Sequence, residues 1–170
     1  DRPDRPAEEI PGTSETVIAT LQRGCWWHIS GCAIRMQTFM QIGGFNEMLN
    51  YSGDWDWLLR CLYRGWSVEY IPRTLILYRY HEASVANQSL MIDADIRESL
   101  KIVRQYVALL SYHQLFVWHL RRMGFMVRRM LRAVSRFLPY RFVKAGQTLL
   151  LVFGNLVQCW VMIKKIQKHK

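Results

Sequence analysis

Two carboxylates set among indoles open the search for chemistry: Gly53-Asp54-Trp55-Asp56-Trp57. An Asp-x-Asp pair suggests a metal clamp, but the surrounding pattern reads as a helix from about residue 54 to residue 63. Residues two apart on a helix point about 200° away from each other, so Asp54 and Asp56 would not converge on one ion. The preceding Asn50-Tyr51-Ser52 reads as a polar turn, not as a buried strand delivering a metal site. The two carboxylates therefore take different jobs. Asp56 stands four residues before Arg60, the acid-first spacing of a surface ion pair. Asp54 stands at the helix start. There it either caps the helix or, beside a glycine that lets substrate approach, serves as general base on a hydroxyl.

The indoles bear on the choice, because a flat amphipathic ring suits the apolar C–H faces of a sugar. Trp55 joins Leu58, Leu59 and Leu62 on a core-facing stripe. Trp57 lies off that stripe and is freer to meet a ligand, and Trp26 and Trp27 either join it or enter the core. Further along, strand alternation puts Leu75, Leu77, Arg79 and His81 on one face. Arg79 and His81 could hold a diphosphate or help bind a metal, or could mark a solvated strand end. The four cysteines, Cys25, Cys32, Cys61 and Cys159, form no Cys-x-x-Cys pair, which suggests a reducing compartment. Cys25, His28 and Cys32 lack a fourth zinc ligand at usable spacing, so the thiols read as buried.

These residues need elements to position them. Residues 1–15 read as a loose lead-in with Pro3, Pro6, Pro11 and Gly12, followed by a short helix over 16–23. The apolar run 25–35 suits a buried strand, 36–42 a helical turn, and Gly43-Gly44 a break. Gly65 stops the helix that carries Asp54. Residues 67–71 and 74–81 read as two short strands around Pro72, and residues 90–110 as a helix with Ile96, Leu100, Val103, Val107 and Leu110 on one face. No internal repeat or low-complexity tract appears.

Half of the 170 residues are apolar, enough to bury a core. The first residues are polar and Pro-rich, unlike a signal peptide. With no initiator Met, the chain is expected to be a piece of a longer protein. Charge is divided sharply. Residues 1–100 carry all 13 acidic residues and 9 basic ones, whereas residues 101–170 carry 14 Lys or Arg and no Asp or Glu. The second part is expected to meet something anionic. At 100° per residue, Arg121, Arg122, Arg128, Arg129, Arg132 and Arg136 fall on one face. Met123, Met126, Val127, Met130, Leu131, Val134, Phe137 and Leu138 fall opposite, with Phe125 alone among the arginines. This is the form of an interfacial helix. The stretch 145–163 nears spanning length, but Gln147, Asn155 and Gln158 interrupt it and favour a second interfacial or packed helix. Nucleic acid is not the expected partner, since no recognised binding motif appears.

Four segments in order complete the pattern. They are Ile42-Gly43-Gly44-Phe45-Asn46-Glu47, then Gly53-Asp54-Trp55-Asp56-Trp57-Leu58-Leu59-Arg60, then Gly65, then Tyr78-Arg79-Tyr80-His81-Glu82-Ala83-Ser84. They resemble family 2 glycosyltransferases, whose pattern reads GGFDE, EDxDLxLR, G and YRxHxxS; the likeness covers roughly residues 25–90. The family's Glu before the catalytic Asp is Gly53 here.

The resemblance implies an α/β fold: the acceptor-side, C-terminal half of a GT-A domain over residues 1–110, followed by a basic amphipathic tail over 111–170. It implies inverting transfer of a sugar from a nucleotide-sugar donor to the hydroxyl of a glycan or lipid-linked acceptor, in cell-envelope or polysaccharide synthesis. Asp54 would be the base. Gly43, Gly44, Glu47, Trp57 and Arg79 would border the substrates, and His81 would approach a metal. A divalent cation, Mg or Mn, would be held mainly by a donor-binding half that carries its own Asp-x-Asp and that this sequence lacks. The chain by itself is expected to be inactive, and to lie on the cytoplasmic face of the cell membrane as a peripheral or weakly inserted protein. The alternatives are a non-catalytic scaffold of glycosyltransferase type and a basic nucleic-acid-binding protein.

Overall fold

A computed structural model describes residues 8–77, 79 and 84–168, and the chain divides into two compact units, Asp1–Glu82 and Ala83–Lys170. In the first, strand β1 (Glu8–Ile10) leads into helix α1 (Ser14–Arg23). Thr13 starts α1 with a capping box shared with Thr16, and Gly24 ends it at φ 93°. Helices α2 (Met36–Ile42) and α3 (Gly53–Tyr63) follow, and β2 (Val68–Tyr70) returns to pair antiparallel with β1, Ile10 opposite Val68. Gly12 permits this return. A Cβ there would stand 2.5 Å from the Gly65 carbonyl carbon and the Trp66 carbonyl oxygen.

Helix α3 is buried on two sides. Its expected stripe, Trp55, Leu58, Leu59 and Leu62, is buried, and the helix packs against α1. Trp57 and Cys61 lie on the other side and form a second cluster with Ile42, covered by Trp27, Ile34, Phe39 and Trp66. Gly65, at φ 85°, turns the chain beyond the end of α3.

The described residues are mostly helical, with one two-stranded ladder, which corrects the α/β expectation. Residues 25–35 form a loop with one 3-10 turn at Ile29–Gly31. Trp27 and Ile34 from this run cover the Trp57 cluster with their side chains, so packing on a helix replaces pairing in a sheet. Residues 74–77 and 79 are not strand and are exposed, because β2 takes β1 as its partner.

The second unit holds α4 (Val85–Met91), α5 (Ala94–Gln105), a 3-10 turn at Val107–Leu109, α6 (Tyr112–Ser135) and α7 (Pro139–Lys168). The expected helix over 90–110 is thus broken. Asp93 adopts a left-handed conformation, φ 55°, between α4 and α5. The stripe Ile96, Leu100, Val103, Val107 and Leu110 is nevertheless buried as its spacing predicts. Helix α5 packs against α7, within the unit that follows Glu82.

Helices α6 and α7 form a long antiparallel hairpin. Gln147, Asn155 and Gln158 do not interrupt α7, which is long and apolar enough to cross a membrane by length and composition. Asn155 faces inward. Its side-chain oxygen lies 2.9 Å from Nε2 of His119, whose Nδ1 lies 2.9 Å from the Leu115 carbonyl. Asn155 Nδ2 donates to the Leu100 carbonyl at 3.4 Å, joining α5 to the pair. Arg129 holds Asp95 through two bonds of 3.1 and 2.7 Å and also binds Asp93, to which Thr148 Oγ1 donates at 3.2 Å.

His119 is fully enclosed, and burial holds its pKa below the ordinary imidazole value. The folded state therefore takes up a proton less readily than the unfolded one. Stability is complete above the unfolded value of about 6.5 and declines as pH falls through the folded value. Denaturant melts of the helical unit's signal between pH 7.5 and 5 will show this decline, and His119→Gln will flatten it.

Candidate functional site

Asp54 lies in the first turn of α3, three residues before Trp57 and seven before Cys61, so it heads the same helix face as the aromatic cluster. Ser52 occupies the N-cap position without a side-chain cap bond, and Asp54 follows inside the helix. One carboxylate oxygen accepts the Trp55 backbone N–H at 2.7 Å. The residue is partly buried, and this burial raises its pKa, opposed by the main-chain bonds and by His28. Among the described residues it has no salt-bridge partner.

The loop after α1 brings Cys25, His28 and Cys32 within electrostatic reach of Asp54. The sequence treats these as distant positions, and their grouping follows from the way Trp27 and Ile34 anchor the loop. Cys25 is exposed and Cys32 half-buried, contrary to the expectation of buried thiols, whereas Cys61 and Cys159 are buried. The Cys25 sulfur donates to the Trp27 carbonyl at 3.3 Å. Partial desolvation by its neighbours, reinforced by the charge of Asp54, pushes its pKa up to about 12, so the thiol is protonated at neutral pH. Among the described residues no three His, Cys, Asp or Glu side chains gather closely enough to hold a metal ion. The divalent cation implied by the family resemblance therefore finds no fitting ligand set in them.

Asp56 takes the structural role its spacing predicts, but in the interior. It is 2% exposed and accepts from Arg60 Nε at 2.9 Å. The guanidinium then reaches across to α2, donating to the Ile42 carbonyl at 3.1 Å and the Gly44 carbonyl at 2.8 Å. Arg64 donates to the Gln41 carbonyl at 2.8 Å. Gly43, at φ 88°, ends α2 in a conformation that a side chain would strain.

Trp57 is not free to meet a ligand, which corrects the sequence expectation. It is 2% exposed, and its Nε1 donates to the Gly43 carbonyl at 2.9 Å. Trp27 stacks on it with centroids 5.8 Å apart and planes 5° apart, and Phe39 stacks at 5.9 Å. The second buried face of α3 is the physical reason: a residue off the first stripe faces α2 instead of solvent. Trp26 remains at the surface, its Nε1 donating to Thr20 Oγ1 at 3.0 Å.

Gly43, Gly44 and Trp57 are therefore brought together around Arg60. Glu47 is exposed on the following loop, Arg79 is exposed with no contact to Asp54 among the described residues, and His81 lies outside the described residues. Arg60 is the residue the sequence reading undervalued. Its acid-first spacing was visible, but its reach to the double-glycine turn was not. Replacing Arg60 by Gln leaves a buried carboxylate without its cation and should cost about 3 kcal/mol or more. Urea denaturation will measure this, and a second change, Asp56→Asn, should restore part of the loss.

Comparison with protein-family models, with curated proteins and with solved structures finds no match to this chain.

Proposed function

We propose that this chain supplies the acceptor side of an inverting, membrane-associated glycosyltransferase, with Asp54 as the general base. The observation that carries this reading is the separation of two neighbouring carboxylates. Asp56 is spent on Arg60, while Asp54 forms no salt bridge among the described residues, is partly buried and has a pKa raised by that burial against the opposing charge of His28. A base is most effective when its pKa lies nearer the working pH than that of an ordinary carboxylate. Asp54 would take the proton of the acceptor hydroxyl as that oxygen attacks the anomeric carbon and the nucleoside diphosphate departs. The Gly43-Gly44 turn, fixed by Arg60 and Trp57, would border the substrates. Trp26 and Glu47 stand exposed and able to contact them. The donor and its divalent cation would be held by a separate donor-binding half.

The hairpin supports placement at a membrane surface. Helix α6 presents three faces instead of the expected two. Leu115, Trp118, His119, Met126 and Ala133 are buried. Leu120, Val127, Leu131 and Val134 form an exposed apolar stripe, and Arg121, Arg128 and Arg132 form an exposed basic one beside it. Arg122 and Arg129 leave the expected arginine face, Arg122 lying over Trp118 and Arg129 binding the acids before and within α5. Helix α7 adds exposed Leu150, Leu151, Phe153, Val157, Trp160 and Val161. Adjacent apolar and cationic stripes fit the headgroup boundary of an anionic leaflet.

The test is Asp54→Asn in membranes from cells producing the protein with every segment it naturally carries, assayed against a panel of nucleotide sugars. Transfer should fall by about 100-fold or more. In the unsubstituted enzyme, kcat/KM should fall on the acid side through a pKa above the ordinary aspartate value of about 3.9. Near-normal turnover in the variant would overturn the assignment. The raised pKa also means that ionised Asp54 lowers stability at neutral pH, so the variant should melt no lower than its parent.

A further inference from the structure

The turn joining α6 to α7 borders a cavity of about 240 Å³ that sugar transfer does not use. Its lining includes four arginines, Arg129, Arg132, Arg136 and Arg141, and one carboxylate, Asp93. Arg129 and Asp93 neutralise each other, with Asp95 adding a second carboxylate to Arg129. Arg132, Arg136 and Arg141 have no carboxylate partner among the described residues. Arg141 lies against the Met91 sulfur, a weak acceptor.

Three cations lining one small cavity repel each other, and an anion between them reduces that cost. Helix capping accounts for two of them at most. Arg132 and Arg136 stand at the C-terminal end of α6, where the helix dipole favours a cation. Arg141 stands in the first turn of α7, where the dipole disfavours one. Phe137, with φ 50°, turns the chain so that arginines from both helices line the same space.

The size and the rim indicate what the anion belongs to. The cavity is smaller than the roughly 300–1,000 Å³ of a typical drug-sized site and suits a single phosphate group. Around it the hairpin tip exposes Phe137 (92%), Tyr140 (71%) and Val143 (56%). A soluble phosphate has no use for these side chains, whereas a lipid does. Fork-shaped guanidinium donors match phosphate oxygens. A nucleic acid would track an extended cationic groove, and this site is instead a compact cluster at the hairpin tip beside exposed apolar residues.

We propose that the cavity at the α6–α7 turn binds the phosphate of an anionic lipid headgroup, with Arg132, Arg136 and Arg141 as donors and Phe137 and Tyr140 entering the acyl boundary. This rests on the placement of the hairpin at a bilayer but not on sugar transfer.

The experiment is co-sedimentation of the intact protein with three vesicle types: phosphatidylcholine alone, phosphatidylcholine with phosphatidic acid, and phosphatidylcholine with oleate at the same charge. Binding should be tightest to phosphatidic acid. The combined variant Arg132→Gln, Arg136→Gln, Arg141→Gln should bind phosphatidic acid vesicles on the order of 100-fold more weakly and lose the preference over oleate. The variant Arg121→Gln, Arg128→Gln, in the exposed basic stripe, should weaken binding to both anionic vesicles and keep the preference. Circular dichroism establishes that each variant is folded. Equal binding to phosphatidic acid and oleate, or a preference that survives the triple change, would overturn this inference while leaving the membrane placement intact. Failure to bind any vesicle would overturn both. Displacement from phosphatidic acid vesicles by millimolar inorganic phosphate, or by a short duplex oligonucleotide, would overturn the lipid as the source of the phosphate.

Discussion

The buried pair of Asp56 and Arg60 is the constraint on which the N-terminal unit depends. A carboxylate taken out of water needs a cation and full hydrogen bonding to be tolerated. Arg60 supplies the cation and one of those bonds, from Nε to Oδ2, and has donors to spare. These bind the carbonyls of Ile42 and Gly44, two groups freed where α2 ends. One guanidinium thus fixes the register of α3 against the double-glycine turn. Trp57 closes the same turn from the other side through Gly43. With that frame fixed, Asp54 is held at the helix start with no salt bridge among the described residues. The structural carboxylate and the candidate base are separated because the helix points them in different directions.

The C-terminal unit repeats this physical device in another form. Arg129 collects Asp93 and Asp95 at the break between α4 and α5, and Thr148 of α7 joins the same carboxylate. The left-handed Asp93 that breaks the expected helix is therefore also the residue that ties α5 to both arms of the hairpin. His119 and Asn155 provide a second tie farther along it. Polar groups at these two points fix how α6 and α7 meet, which apolar packing alone would leave open to sliding. The faces left outside are apolar and cationic, the combination an anionic lipid surface accommodates.

Much of the local structure was legible in the residues. The short helix expected over 16–23 is present as α1, and the stripe from Trp55 to Leu62 predicted one buried face of α3. The stripe on α5 survived even though the helix around it broke. These features depend on neighbours three or four positions away, and the sequence displays such neighbours directly. The run 25–35 was misread because an apolar stretch of that length fits a strand or a packed loop equally well. Trp57 was misread because a stripe reveals one buried face and is silent about a second. The surroundings of Asp54 were only half visible: the carboxylate could be picked out, but not its approach to Cys25, His28 and Cys32.

By itself, the sequence determined the position of the Asp54 helix and its buried stripe, the Asp56–Arg60 spacing and the concentration of positive charge after residue 100. Tertiary structure alone decided that this ion pair is internal, that Trp57 is core, that two of the expected surface arginines turn inward, and that three others gather at the hairpin turn. The division has a physical reason. Periodicity and capping act within one or two turns of a helix, whereas burial depends on which surface arrives from a distant part of the chain.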